Sequence, residues 1–255
     1  MRLEMQPSIR SGRIILAAGM PRAGSGWHYN LVHDLTLAAG GADARQIRRR
    51  YRLQNILTEV NCNIGVLSIR RLAMVMVLAL LGRTFAIKVH SGLTPTARRL
   101  IRRGWIRPTY IYRDPRDALL SAYEYGQRGL ASGRPNAFSS LDSIEKAIAF
   151  MQEYVGYWQA WTSLAECHTI VFEALKTDYD AQAARLSVFL SLSPDAPAAR
   201  AVIERYRPEQ AQRGAAGLHF SQGISGRFRE KLSAAQQEVC RQAFGDTLAA
   251  MGYVE

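Results

Sequence analysis

The chain has 255 residues, 48% of them hydrophobic, and a formal net charge of +12 from 33 Lys+Arg against 21 Asp+Glu. At this length folding buries roughly 70–75% of the unfolded surface, which excludes a disordered chain and favours a single domain over residues 1–255. All but four of the cations are arginine (the lysines are Lys88, Lys146, Lys176 and Lys231), which suits bidentate grips on phosphate, sulfate or carboxylate but equally fits a genomic base-composition bias.

In chain order, the β-type run Arg13–Ala18 leads into a glycine-rich turn and a helix expected over Trp27–Ala39. The apolar stretch Leu72–Leu81 is about half the length needed to cross a bilayer and reads as a buried helix. A strand at Thr84–Val89 precedes a helix over Pro95–Arg103, with Thr94 as N-cap, Pro95 at the first helical position and Gly104 past the end. A strand at Thr109–Tyr112 precedes a helix over Pro115–Tyr125, started by Asp114-Pro115, and Ser132–Ser140 reads as a loop. A long helix at Ile144–Leu164, a strand at Thr169–Phe172, and helices at Ala181–Leu190 and Ala234–Met251 complete the chain. Strands alternating with helices predict an α/β fold, a central mostly parallel sheet flanked by helices.

Three scattered cysteines (Cys62, Cys167, Cys240) and five scattered histidines offer no metal-ligand spacing, so no metal is expected, and dispersed thiols fit a reducing compartment. No apolar leader follows the N-terminal basic residues, and the expectation is a soluble, cytoplasmic protein with no integral membrane segment.

Three features carry chemistry. Gly19-Met20-Pro21-Arg22-Ala23-Gly24-Ser25-Gly26-Trp27 joins a strand to a helix, so backbone N–H groups and the helix dipole face an anion. Its spacing approaches the phosphate-loop pattern GxxxxGK[ST], but Ser25 and Gly26 stand where Lys and Ser/Thr belong, which disfavours a magnesium-dependent kinase or NTPase. A ligand-free β–α turn is the alternative. Lys88 and His90 point to one face of a strand end, where the ammonium lowers the imidazole pKa and favours a neutral base. Arg113 ends the next strand, and Ser121 lies two helical turns on, a pair suited to a phosphate oxygen. The competing reading pairs Arg113 and Arg116 with Asp114 and Asp117 across a capped turn. All three features fall at the carboxyl ends of strands, the ligand-binding edge of a doubly wound sheet.

Taken in order, the glycine loop, Lys88-Val89-His90 and Tyr112-Arg113-Asp114-Pro115-Arg116-Asp117 resemble the sulfotransferases that use 3′-phosphoadenosine 5′-phosphosulfate (PAPS). Weaker blocks, Val171–Lys176 and Gly223–Phe228, extend the resemblance over about residues 12 to 253. It implies a P-loop-like sulfotransferase fold and sulfuryl transfer to an acceptor hydroxyl. PAPS would be the donor, 3′-phosphoadenosine 5′-phosphate (PAP) the product, and no metal would be needed. Pro21, Arg22, Ala23, Gly24, Ser25 and Gly26 would cradle the 5′-phosphosulfate, and Trp27 would stack on adenine. Arg113 and Ser121 would bind the 3′-phosphate, with Phe172 and Gly223 near the nucleotide. His90 would be the base, with Lys88 and Arg22 at the transferring group.

Arg22 replaces the lysine of many members, which leans the acceptor toward a carbohydrate. Ser221-Gln222 replaces a basic pair of the 3′ grip, leaving Arg227, Arg229 or Arg213 as substitutes and a degenerate, non-catalytic PAP-binding protein as an alternative. Acceptor loops are expected around residues 40–80 and 126–145. The arginine clusters at 45–52 and 98–103 read as solvated helix faces or as attraction for an acidic acceptor. No nucleic-acid motif accompanies the charge.

Overall fold

A computed structural model describes residues 12–211 and 224–253 of the chain. The first strand, β1 (Ile14–Gly19), runs into α1 (Ser25–Ala38), followed by α2 (Ala44–Arg50) and α3 (Ile69–Leu80). Next come β2 (Phe85–Val89), α4 (Pro95–Arg102), β3 (Ile106–Tyr112), α5 (Pro115–Ala131) and α6 (Ile144–Thr162). After β4 (His168–Val171), the chain is helical: α7 (Phe172–Thr177), α8 (Tyr179–Phe189), α9 (Pro197–Arg205), α10 (Pro208–Ala211), α11 (Phe228–Lys231) and α12 (Ala234–Ala250).

Four parallel strands lie in the order β2-β1-β3-β4 among the described residues. Every residue of β1 and β2 is buried, as expected of strands covered on both faces. The chain leaves β1 toward β2 on one side and returns across it to β3, so the order reverses between β1 and β3. That reversal, outside the carboxyl ends of the strands, is where open α/β sheets bind their ligands.

β3 starts three residues earlier than its expected range, and Pro108 lies inside it. Pro108 pairs with Leu16 of β1, whereas β4 pairs only from Thr109 onward, so the missing N–H has no ladder partner to lose on the β4 side. Helix α5 runs six residues past Tyr125, and its Gly126 packs against the 134–139 loop. A Cβ there would sit 2.2 Å from the Phe138 carbonyl oxygen.

Five short helices, α2, α7, α9, α10 and α11, have no counterpart among the expected elements. The arginines of α2 serve the fold: Arg45 donates to the Asn30 side chain (2.8 Å) and the Val60 carbonyl (3.1 Å), and Arg48 to the Leu57 carbonyl (2.7 Å). The Leu72–Leu81 stretch is helical as expected, but only one of its faces is buried.

Candidate active site

The loop between β1 and α1 is held from below. Met20 N–H donates to the Ile111 carbonyl (2.9 Å) and Ala23 N–H to the Met20 carbonyl (3.3 Å). Arg22 (φ 62°) and Gly24 (φ 75°) both take left-handed backbone, a conformation that a non-glycine residue adopts at a cost of about 1–2 kcal/mol. Gly24 has a second reason to be glycine, since a Cβ would lie 2.6 Å from the Phe172 ring. As the α1 N-cap it offers no side chain, so the Ser25 and Gly26 N–H groups at the start of α1 lack a side-chain cap. Anions bind to such a helix start.

His90 follows β2, and its Nδ1–H donates to the Gly19 carbonyl (2.6 Å). That bond assigns the tautomer: Nε2 carries the lone pair. Burial, then the Lys88 ammonium, push the His90 pKa down to about 3, with the Gly19 bond opposing. Lys88 is buried in β2, and burial followed by the Arg22 charge lowers its pKa to about 8. The pair therefore stands as ammonium and neutral imidazole at pH 7.

Arg22 leaves the loop toward α5. Its Nε donates to the Ser121 hydroxyl (3.2 Å), and its guanidinium lies 4.5 Å from the Tyr125 ring centroid. Arg113, also buried, faces the same region. Its charge and that of Lys88 both couple to Arg22. Arg22, Lys88, Arg113 and Ser121, separated by up to 99 positions in sequence, are thus brought together as the motifs imply.

The remaining candidates differ. Arg113 Nη2 donates to the Ile224 carbonyl (2.6 Å) and stands 3.5 Å from Asp117, while Arg116 chelates Asp114. The capped-turn reading thus holds for Arg116, and Arg113 joins both pictures. Asp117 accepts from Gly226 N–H (2.6 Å) and Phe228 N–H (3.2 Å), so the C-terminal loop is tied to the first turn of α5.

Arg227, expected as a substitute phosphate grip, forms a two-pronged ion pair with Glu124 (2.6 and 3.0 Å). A nearby carboxylate outcompetes solvent for a guanidinium fork. Trp27 requires a correction as well. It is fully buried, stacked on Tyr179 (5.9 Å, 7°) and edge-on to Phe172 (6.4 Å, 82°), and its indole N–H donates to the Tyr206 carbonyl (2.8 Å). The ring belongs to the core and offers adenine no open face in this state. Phe172 lies beneath Gly24 and under Arg113 (4.9 Å), close to the loop as expected. Gly223, like Arg213 and Ser221-Gln222, lies outside the described residues.

One feature carried no sequence signal. A rank of aromatic rings, Tyr125–Phe138–Phe150–Tyr154–Tyr157, runs with centroid spacings of 4.8–5.9 Å from the Arg22 guanidinium to Gly92, two residues after His90. These positions come from α5, the 134–139 loop and α6. Only the folded chain aligns them.

A parallel sheet with a glycine loop at its switch point defines a P-loop-like α/β protein. The sulfotransferase domain model matches residues 13–252, and the chain belongs to the sulfotransferase family. No curated protein matches it. Among solved structures, it is similar to retinol dehydratase in complex with androsterone and the inactive cofactor PAP (TM-score 0.60, 14% identity, 95% of this chain and 82% of that one). Mouse sulfotransferase SULT7A1 complexed with PAP is similar too (TM-score 0.59, 12% identity, 96% and 87%). At these identities the likeness establishes the P-loop-like sulfotransferase fold.

Proposed function

We propose that the chain transfers a sulfuryl group from PAPS to the hydroxyl of an acceptor, with His90 as general base. The observation that carries this is the His90–Gly19 bond, which leaves Nε2 unprotonated beside the Lys88 ammonium and the glycine loop. The residues fit a doubly anionic nucleotide in two further respects. Gly24, as the α1 N-cap, leaves the Ser25 and Gly26 N–H groups without a side-chain cap, and the buried Arg113 Nε has no hydrogen-bond partner. PAPS would be held by the 19–26 loop amides with Arg22 at one end and by Arg113 and Ser121 at the other. When bound, it supplies an activated sulfuryl group and a stable leaving nucleotide.

The protein's own work is then positional and electrostatic. His90 Nε2 accepts the acceptor's hydroxyl proton, a role typically worth about 10²–10⁴-fold. Lys88, in a low-dielectric pocket, stabilises negative charge that develops beside it. The aromatic rank gives a hydroxyl-bearing ring, such as a sugar, a wall to lie against on its way to His90.

Incubation with labelled PAPS and a panel of glycans, phenols and lipid alcohols, alongside PAP calorimetry, tests the reading. Transfer to one acceptor class with PAP retention is expected; neither transfer nor PAP binding would sink it. A second reading, a nucleotide binder without transfer, draws on the Glu124–Arg227 pair and the Arg113–Ile224 bond, which occupy cations of the 3′ end. PAP binding without transfer to any acceptor would favour it.

A further inference from the structure

Helix α3 is apolar on both sides. Leu72, Val75, Met76, Leu78 and Ala79 are buried, yet Ile69 (71%), Met74 (41%), Val77 (54%), Leu80 (64%) and Leu81 (67%) are exposed. Positions 69, 73, 77, 80 and 81 share one stripe at helical spacing. A surface helix ordinarily carries charged side chains there. In α3 the only charges are Arg70 and Arg71 in its first turn, so some 18 Å of helix presents apolar side chains to water.

The neighbouring helix has the opposite character. In α4, Ala97 and Ile101 are buried, and Arg98, Arg99 and Arg102 occupy the rest of the surface with Arg103 as C-cap. Among the described residues these arginines make no ion pair. The two helices begin and end close to each other. At their starts the Thr94 hydroxyl donates to the Leu67 carbonyl (3.0 Å). At their ends both reach the beginning of β1: Gly12 abuts the Ala79 carbonyl, and Ile14 N–H donates to the Trp105 carbonyl (3.0 Å). An apolar stripe and a row of unpaired guanidiniums therefore share one side of the molecule, with exposed Trp105 and Arg83 at the same end.

The charge decides what covers this face. A second copy would bring one arginine row against another on chains that already carry +12. The covering surface must be both apolar and anionic. We propose that the α3–α4 face docks on an anionic lipid surface. Its aliphatic stripe enters the headgroup–acyl boundary, and Arg99, Arg102 and Arg103 engage lipid phosphates. Nothing in this proposal depends on the transfer reaction.

Sedimentation of the full chain with vesicles tests it, using phosphatidylcholine mixed with phosphatidylglycerol against phosphatidylcholine alone. The chain is expected to sediment with the anionic vesicles, and added salt should release it. Two double variants, Val77→Asp with Leu81→Asp and Arg99→Glu with Arg102→Glu, alter exposed positions only, and circular dichroism checks that both remain folded. Each should lower vesicle affinity at least about tenfold, removal of one near-surface cation alone being worth roughly fivefold. Failure to bind anionic vesicles would overturn the proposal, as would equal binding to neutral ones or full binding by the Val77/Leu81 variant. Light scattering that shows a dimer broken by Val77→Asp would assign the face to a second copy and overturn it too.

Discussion

Around the glycine loop, the polar groups are positioned by backbone close at hand: Gly19 orients His90, Ile111 anchors Met20, and Lys88 is set by the strand beside β1. Around the start of α5, the cations are positioned by the far end of the chain. Arg113 bonds Ile224, Arg227 bonds Glu124, and Asp117 caps the 226–228 turn. The loop end is closer to ready as it stands, because the Ser25 and Gly26 N–H groups have no side-chain cap and the His90 Nδ1 bond to Gly19 leaves the Nε2 lone pair free. At the α5 end, carboxylates and a carbonyl already hold the guanidiniums, so an incoming phosphate exchanges one set of partners for another. The first region should therefore govern rate and the second affinity.

The largest expected effect tests the rate half. His90→Ala should lower kcat by about 10²–10⁴-fold while PAP affinity in calorimetry stays unchanged. A fully active variant would remove His90 from the reaction. Next, Lys88→Met should reduce kcat by roughly 10²–10³-fold, the range for losing one preorganised charge donor. The Lys88 pKa near 8 also gives a sign to the pH dependence: kcat/KM of the wild type should decline as pH rises past 8 and the ammonium is lost. No matching loss should occur near 6.5 on the acid side from His90, which stays neutral down to about 3. A profile governed by a group titrating near 6.5 would contradict that assignment.

The affinity half makes a smaller demand. Arg113→Ala should weaken PAP binding by about 1.5–3 kcal/mol, roughly 10- to 150-fold, with kcat at saturating donor less affected. If instead kcat fell and PAP affinity held, the division between the two ends would fail.

The smallest effect concerns the floor under both. His28 in α1 is buried with neither ring nitrogen hydrogen-bonded, and burial lowers its pKa to about 3; His168 in β4 is lowered to about 4. Both values lie below the usual 6.5 of the unfolded chain, so between these limits the unfolded state binds more protons and stability falls as pH drops. Melting temperature should accordingly be lower at pH 5 than at pH 7. His28→Leu should shrink that gap by a few degrees, about 2–4 °C per kcal/mol at this size, and be near neutral at pH 7. An unchanged gap would show that His28 does not drive the acid sensitivity.

The parts of the site written locally were legible in the sequence. A strand running into a glycine turn, Lys88 and His90 two apart, and Asp114-Pro115 at a helix start each signal through neighbours within a few positions. Their meeting at one sheet edge follows from the α/β rule alone. Trp27 shows where such reading stops. An aromatic in the first turn of a helix looks the same whether it faces a ligand or the core, and here Tyr179, 152 positions later, decides. Arg227 is similar, since Glu124 claims it across 103 positions. Helix α2 escaped because only Ala44 and Ile47 of its seven residues are buried, too few to set a period. The Leu72–Leu81 stretch read as a buried helix because hydrophobicity all round a helix is the sign of burial, and its exposed half is visible only once the sheet is in place.

The bonds from Arg113 and Asp117 to residues 224–228 span 109 to 111 positions. The ribosome therefore releases the sheet, the glycine loop and His90 long before the turn that completes the α5 end. A nascent chain can assemble the glycine loop and its neighbour His90 early, but the turn proposed to clasp the nucleotide closes on α5 only after residue 228 has left the exit tunnel.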